Sequence, residues 1–155
     1  MLSSESLAIQ EMIRASLAER YGAESLAEHF RAFDTICSAT QDRQDAVVEL
    51  LASKPDRMIV IGGYNSSNTT HLAALAARAV PTFHIEDAAC IEAGGVIRHR
   101  PYGAKAESRA DGWLPAGPVI VGLTAGASTP NNKIGEVVAA VARLRGLSLE
   151  APAAP

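Results

Sequence analysis

Three short polar stretches hold the side chains best suited to chemistry. Asn65-Ser66-Ser67-Asn68-Thr69-Thr70 follows the apolar run Met58–Ile61 and the pair Gly62-Gly63. Thr124-Ala125-Gly126-Ala127-Ser128-Thr129 follows a second apolar run. Cys37-Ser38-Ala39-Thr40-Gln41 follows a third and carries a thiol. Serine, threonine and asparagine are short uncharged donors, and glycine lets the backbone approach a ligand closely. The first turn of a helix leaves about four N–H groups unpaired, and its dipole favours an anion. An oxyanion or phosphate site at a strand–helix junction is the chemistry these residues suit. The same residue types are preferred helix caps, and capping alone would account for any one turn. No Gly-Lys-Ser/Thr follows the glycines, so there is no Walker A loop, and the Rossmann glycine fingerprint is also missing. Cys37, at a strand end just before a helix, is placed for thiolate chemistry or metal ligation. A buried structural cysteine is the alternative.

The elements around these turns follow from periodicity. Residues 3–21 read as a helix with Ile9, Met12, Ile13 and Leu17 on one face and Gly22 as its stop. A short helix is expected over 26–31. Four strands are expected, at 33–36, 58–61, 81–85 and 119–123. A helix from Asp42 to Ala52 should turn Ala46, Val47 and Leu50 inward, and another follows the 65–70 turn with Leu72, Leu75, Ala76 and Ala79. The last helix carries Ile134, Val137, Val138, Val141 and Leu144 on one stripe. Ser128 or Thr129 would cap it, Pro130 would take its first position, and Gly146 would end it. Residues 94–112 have glycines, alternating charges and little periodicity, which reads as a surface hairpin or loop insertion. Arg98, Arg100, Lys105 and Arg109 are interleaved there with acids, as on a solvated face. His84 and Glu86 read as solvated groups at a strand end, and Cys90 as core.

Strands alternating with helices imply an α/β fold, a parallel sheet of about four strands with helices on both faces. In such a sheet the three polar turns share the carboxyl edge, where ligands bind at a switch point in strand order. Two hydroxyl-bearing turns and one thiol on a single edge make one shared site the economical reading.

The chain has 155 residues, 48% of them hydrophobic, enough for one domain with a real core. A formal charge of −3 and a pI near 5.8 leave no electrostatic footprint for nucleic acid. No apolar run approaches the roughly 20 residues of a membrane helix, and the N-terminus lacks a signal-peptide pattern, so a soluble cytoplasmic protein is expected. Two cysteines make no disulfide framework.

Phe33-Asp34-Thr35-Ile36-Cys37-Ser38-Ala39-Thr40-Gln41-Asp42-Arg43-Gln44, Gly62-Gly63-Tyr64-Asn65-Ser66-Ser67-Asn68-Thr69, Trp113-Leu114-Pro115 and Thr124-Ala125-Gly126-Ala127-Ser128-Thr129-Pro130 occur in that order. In these motifs the chain resembles the C-terminal part of hydroxymethylbutenyl diphosphate reductase, the last enzyme of the non-mevalonate isoprenoid pathway. The resemblance implies one α/β domain of a three-domain enzyme whose [4Fe–4S] cluster is held by one cysteine per domain. That enzyme removes the substrate hydroxyl as water, giving isopentenyl and dimethylallyl diphosphates. Cys37 would then be a cluster ligand, and Ser66, Ser67, Asn68 and Ser128 would grip the diphosphate. The family's other cluster cysteines, its diphosphate-binding histidines and its proton-relaying glutamate lie upstream of the matched region. No catalytic residue is therefore assigned here, and Cys90, His84 and Glu86 match none of them.

These correspondences imply a truncated or split reductase. Residues 1–31 would lead in from the preceding domain, 32–146 would form the cluster- and diphosphate-binding domain, and 147–155 a flexible tail. The expected partners are an isoprenoid diphosphate, an N-terminal half with the other ligands, and an electron donor such as ferredoxin or flavodoxin. Two other readings compete: a stand-alone diphosphate-binding module without a cluster, and an assembly subunit without a ligand.

Overall fold

The computed structural model describes residues 3–33 and 39–149, in two compact units, Met1–Asp42 and Arg43–Pro155. The first contains α1 (Ser3–Tyr21) and α2 (Leu26–His29). Gly22, with φ +86°, ends α1, and the Tyr21 and His29 rings stack with centroids 4.1 Å apart. Ile9, Met12 and Ile13 are exposed. The strand expected at 33–36 and the thiol of Cys37 fall on or beside residues 34–38, outside the described residues.

The second unit is built on β1 (Arg57–Ile61), β2 (Thr82–Ile85) and β5 (Val121–Ala125), all parallel in the order β2-β1-β5. Among the described residues the parallel sheet therefore has three strands. The α/β architecture holds, with helices on both faces. β1 is central, and Met58, Ile59, Val60 and Ile61 are all fully buried, as a strand covered on both sides requires. Met58 and Val60 pack under α3 (Ala39–Ala52) and α4 (Ser67–Ala77) through Val47, Leu72, Ala73 and Ala76. Ile59 and Ile61 point the other way, toward Phe83, Ile85, Trp113 and Val137, the last from α5 (Asn131–Leu144). Small alanines on α4 let that helix lie close to the sheet.

Several boundaries differ from the sequence reading. α3 starts at Ala39 rather than Asp42, so Ala39–Gln41 continue the helix instead of a turn, and Ala46 faces solvent while Val47 is buried. β5 begins at Val121 instead of Val119, because Ile120 bonds outside the ladder: its N–H donates to the Asp56 carboxylate (2.8 Å) and its C=O accepts from Asp56 N (2.8 Å). α5 begins at Asn131 with Pro130 as its N-cap and no side-chain cap. The Thr129 hydroxyl expected to cap it donates instead to Ile61 O at 3.1 Å. Val138 is 37% exposed, at the margin of the α5 stripe.

The insertion at 94–112 is a hairpin of β3 (Ile97–His99) and β4 (Ser108–Ala110), antiparallel with Arg98 opposite Arg109. It is not a detached surface feature. Ile97 is fully buried in the α5-side core, and Arg100 N donates to His84 O at 2.9 Å, fastening the hairpin to the edge strand β2. Cys90, in the 3-10 turn Ala88–Cys90, is 2% exposed in the same core, as expected.

Candidate functional site

β1 and β5 are paired neighbours, with Ile61 opposite Ala125, so the turns that follow them leave the sheet side by side. The chain then goes to α4 on one face and to α5 on the other. Adjacent strands whose following helices diverge define a switch point, and the crevice at the carboxyl ends is where α/β sheets take ligands.

The two turns are locked by close packing. Ile61 O accepts from both Gly126 N (3.0 Å) and the Thr129 hydroxyl. The Thr69 side chain, 1% exposed, lies between Gly62 and Gly126. A Cβ on Gly126 would come within 2.3 Å of Thr69 Oγ1. One on Gly62 would come within 2.8 Å of both Thr69 Oγ1 and Thr129 Oγ1, and Gly62 also has φ +145°, which side chains rarely adopt. Only glycine fits either place, and the α4 start is thereby held against the β5 turn.

Ser66 is the N-cap of α4, its Oγ accepting from Thr69 N at 3.3 Å. A hydroxyl keeps its own proton when it accepts, so Ser66 can cap the helix and still donate outward. Capping and anion binding are therefore compatible at this residue. Ser67 is exposed and Asn68 half-buried in the first turn, and their N–H groups have no acceptor among the described residues. Ser128 is exposed in the neighbouring turn. Cys37 lies outside the described residues. Among the described residues no group of three or more His, Cys, Asp or Glu side chains converges as a metal site.

Around the turn lie residues to which sequence reading gave no such part. His84 was expected in solvent. It is 3% exposed on the α4 face of the sheet, and its Nε2–H donates to Gly62 O at 2.9 Å. Burial is the main cause of its lowered pKa, with Arg100 adding to it, while the bond to Gly62 and Glu86 oppose the shift. His99 is 9% exposed against Phe83, and its pKa is lowered by burial alone. Arg100 was expected on a solvated face. It is half-buried, and its guanidinium lies 4.6 Å from the Tyr64 ring centroid and donates to Tyr64 O. A cleft of ≈ 430 Å³ beside the hairpin loop is lined by Thr70, His84, Arg100, Tyr102 and Lys105, and by none of Ser66, Ser67, Asn68 and Ser128.

The two buried histidines make a pH prediction. Their folded pKa values lie below the ordinary 6.5, so below about that pH the unfolded chain binds more protons than the folded one. Stability should be flat above neutrality and fall as pH drops from about 6.5 toward the lowered values. Urea midpoints between pH 8 and 5 would show it, and His84→Gln should flatten the fall. A midpoint independent of pH over that range would contradict neutral burial.

Comparison with known proteins places this architecture. The family model described as LytB protein matches residues 3–142. Over 148 residues the chain is 47% identical to the 4-hydroxy-3-methylbut-2-enyl diphosphate reductase of Gloeobacter violaceus, covering 95% of this chain and 36% of that enzyme. It is 46% identical over 139 residues to the reductase of the same name from a Synechococcus species, covering 89% of this chain and 35% of the relative. A solved structure of (E)-4-hydroxy-3-methyl-but-2-enyl diphosphate reductase, the terminal enzyme of the non-mevalonate pathway, is similar over 80% of this chain and 38% of its own, with 30% identity and a TM-score of 0.55. The chain thus spans little more than a third of the length of these relatives. No described helix is long and apolar enough to cross a membrane. On the extent of the family match and the identity to these reductases, the chain belongs to the LytB protein family.

Proposed function

We propose that this chain is the diphosphate-gripping portion of a [4Fe–4S] reductase that converts hydroxymethylbutenyl diphosphate to isopentenyl and dimethylallyl diphosphates. The observation that carries the reading is the switch-point juxtaposition of the Ser66–Asn68 and Ser128 turns in a chain of the LytB family. Ser66 and Ser128 hydroxyls, the Asn68 amide, and the Ser67 and Asn68 N–H groups would converge on the phosphate oxygens from two sides. A helix N-terminus adds its dipole to that grip, and uncharged donors at short range give orientation without a competing charge.

Cys37 would offer one thiolate. An iron–sulfur cubane is held by several cysteine thiolates, and Cys90 is sealed in the core. The two cysteines of this sequence do not fit a complete cluster site. The remaining thiolates, the proton-relaying carboxylate and the docking surface for a ferredoxin or flavodoxin would come from protein outside this sequence, in the cytoplasm. Residues 1–31 would lead in from that part, with 32–146 as the domain that grips diphosphate and 147–155 as a tail. The alternative is a stand-alone diphosphate-binding module, favoured by the fact that both turns lie within one compact unit.

Anaerobic treatment with iron and sulfide tests the reading. The chain alone should develop no stable cubane absorption. Mixed with the polypeptide that carries the other cysteines, it should develop one that Cys37→Ser abolishes. A cluster that forms on this chain alone, or one indifferent to Cys37→Ser, would remove the assignment.

A further inference from the structure

Tyr64 stands two residues before Ser66, and each of its polar groups is taken by a side chain distant in sequence, two of them from the β3–β4 hairpin. Its N–H donates to Glu86 Oε1 at 3.3 Å, its C=O accepts from the Arg100 guanidinium, and its phenol donates to Glu107 Oε1 at 2.9 Å. Its ring is covered by Arg100 and meets the His84 ring edge-on, with centroids 5.0 Å apart. Glu107 is itself held by Arg98 Nη1, at 3.1 Å and 2.9 Å from its two oxygens. Arg98, Arg100 and Glu107 all belong to the β3–β4 hairpin, which the Arg100 N to His84 O bond ties to the sheet edge. The backbone leading into the Ser66 turn is therefore gripped by the insertion.

We propose that the β3–β4 hairpin is a strap that fixes the conformation of the anion-gripping turn, with Arg100 and Glu107 acting on Ser66, Ser67 and Asn68 through Tyr64 as positioning residues. The inference rests on the diphosphate reading and adds a control element to it. Half-exposed pairs such as Arg98–Glu107 add little to overall stability, so their value lies in geometry. A site whose donors are held in place binds more tightly than one that must order them on binding. The strap also makes a prediction opposite in sign to that of simple charge. Glu107 adds a negative charge bonded to Tyr64, two residues from Ser66, so its removal should if anything favour pyrophosphate on electrostatic grounds alone and disfavour it if the strap matters. Arg100 donates to the Tyr64 carbonyl from one terminal nitrogen while its planar guanidinium lies over the ring, and the single ammonium of lysine does not do both at once.

The experiment combines amide hydrogen exchange on the apo chain with calorimetry against inorganic pyrophosphate, on wild type, Arg100→Ala, Arg100→Lys, Glu107→Ala and Ser66→Ala. Arg100→Ala, Arg100→Lys and Glu107→Ala should each speed exchange in residues 63–68 about tenfold, leaving β1 and α5 unchanged. The same three should weaken pyrophosphate binding roughly three- to tenfold. Exchange and affinity unchanged in these variants, beside a wild type that binds and a Ser66→Ala that binds substantially more weakly, would overturn the strap alone. So would full recovery of affinity by Arg100→Lys, or tighter binding by Glu107→Ala. A wild type that does not bind pyrophosphate would overturn the diphosphate reading and, with it, the role given to the strap.

Discussion

Alanine at both Ser66 and Ser128 should abolish measurable pyrophosphate binding by this chain, and either change alone should weaken it substantially. A hydrogen bond to a charged group contributes about 1.5–3 kcal/mol, so each serine is expected to matter by roughly 10- to 100-fold in Kd. Ser66 has a second role that must be separated from the first. Its Oγ caps α4 through Thr69 N, and loss of such a cap costs about 1 kcal/mol of stability. Ser66→Asp makes the separation, because aspartate caps a helix as well as serine does but places a negative charge where the diphosphate would sit. It should fold as stably as wild type and bind no pyrophosphate. Ser128 makes no cap, since α5 begins at Asn131 with Pro130 as its N-cap and no side-chain cap bond, and Ser128→Ala should leave the unfolding midpoint unchanged. Calorimetry beside urea unfolding reads both quantities.

Gly126→Ala is expected to be a strongly disruptive single-methyl change near the site. The added Cβ would lie 2.3 Å from Thr69 Oγ1, a separation that side chains do not tolerate. Thr69 is buried between the two turns, so either α4 or the β5 turn must move. Overpacking of this kind costs about 1–3 kcal/mol, and the displacement parts the two halves of the proposed grip. The partner change is Thr69→Ala. Thr69 Oγ1 has no hydrogen-bond partner among the described residues, so its removal strands nothing. With it gone, the nearest remaining atoms to the new Cβ are Thr69 Cβ at 3.4 Å and Thr129 Oγ1 at 3.5 Å, ordinary contacts. Gly126→Ala with Thr69→Ala should therefore be more stable than the sum of the two, with a coupling of about 1–2 kcal/mol in a double-mutant cycle. Additive effects would mean that the turns are not packed through Thr69.

The strand–turn–helix units around Ser66 and Ser128 were legible because a fully apolar run, a glycine-bearing polar turn and a helical stripe are local signals. β1 appears where these signals put it, and so does α4 except that it ends at Ala77, which leaves Ala79, expected on its apolar stripe, exposed beyond the helix. Strand order was not legible. Alternation of strands and helices implies parallel pairing but does not say that β5 lies beside β1, and that neighbour relation brings the two turns together. His84 was misjudged because Thr82-Phe83-His84-Ile85 shows which face a residue takes, not whether a helix covers that face. Arg100 and Glu107 escaped notice for a related reason: alternating charges read as a solvated hairpin until the edge strand and Tyr64 are placed beside them. The α5 cap went wrong because Thr129 had a better acceptor, the Ile61 carbonyl, than the start of its own helix. Cys37 lies outside the described residues, so its role rests on the motif alone.

Backbone amide shifts, followed while inorganic pyrophosphate is added to the 155-residue chain, test most directly whether two distant turns make one anion site. Amides of residues 66–69 and 127–129 should shift together and saturate at one common Kd, with the hairpin tip unmoved. Shifts confined to one turn, two unequal saturation curves, or a response centred on Lys105 and Tyr102 would contradict a shared grip.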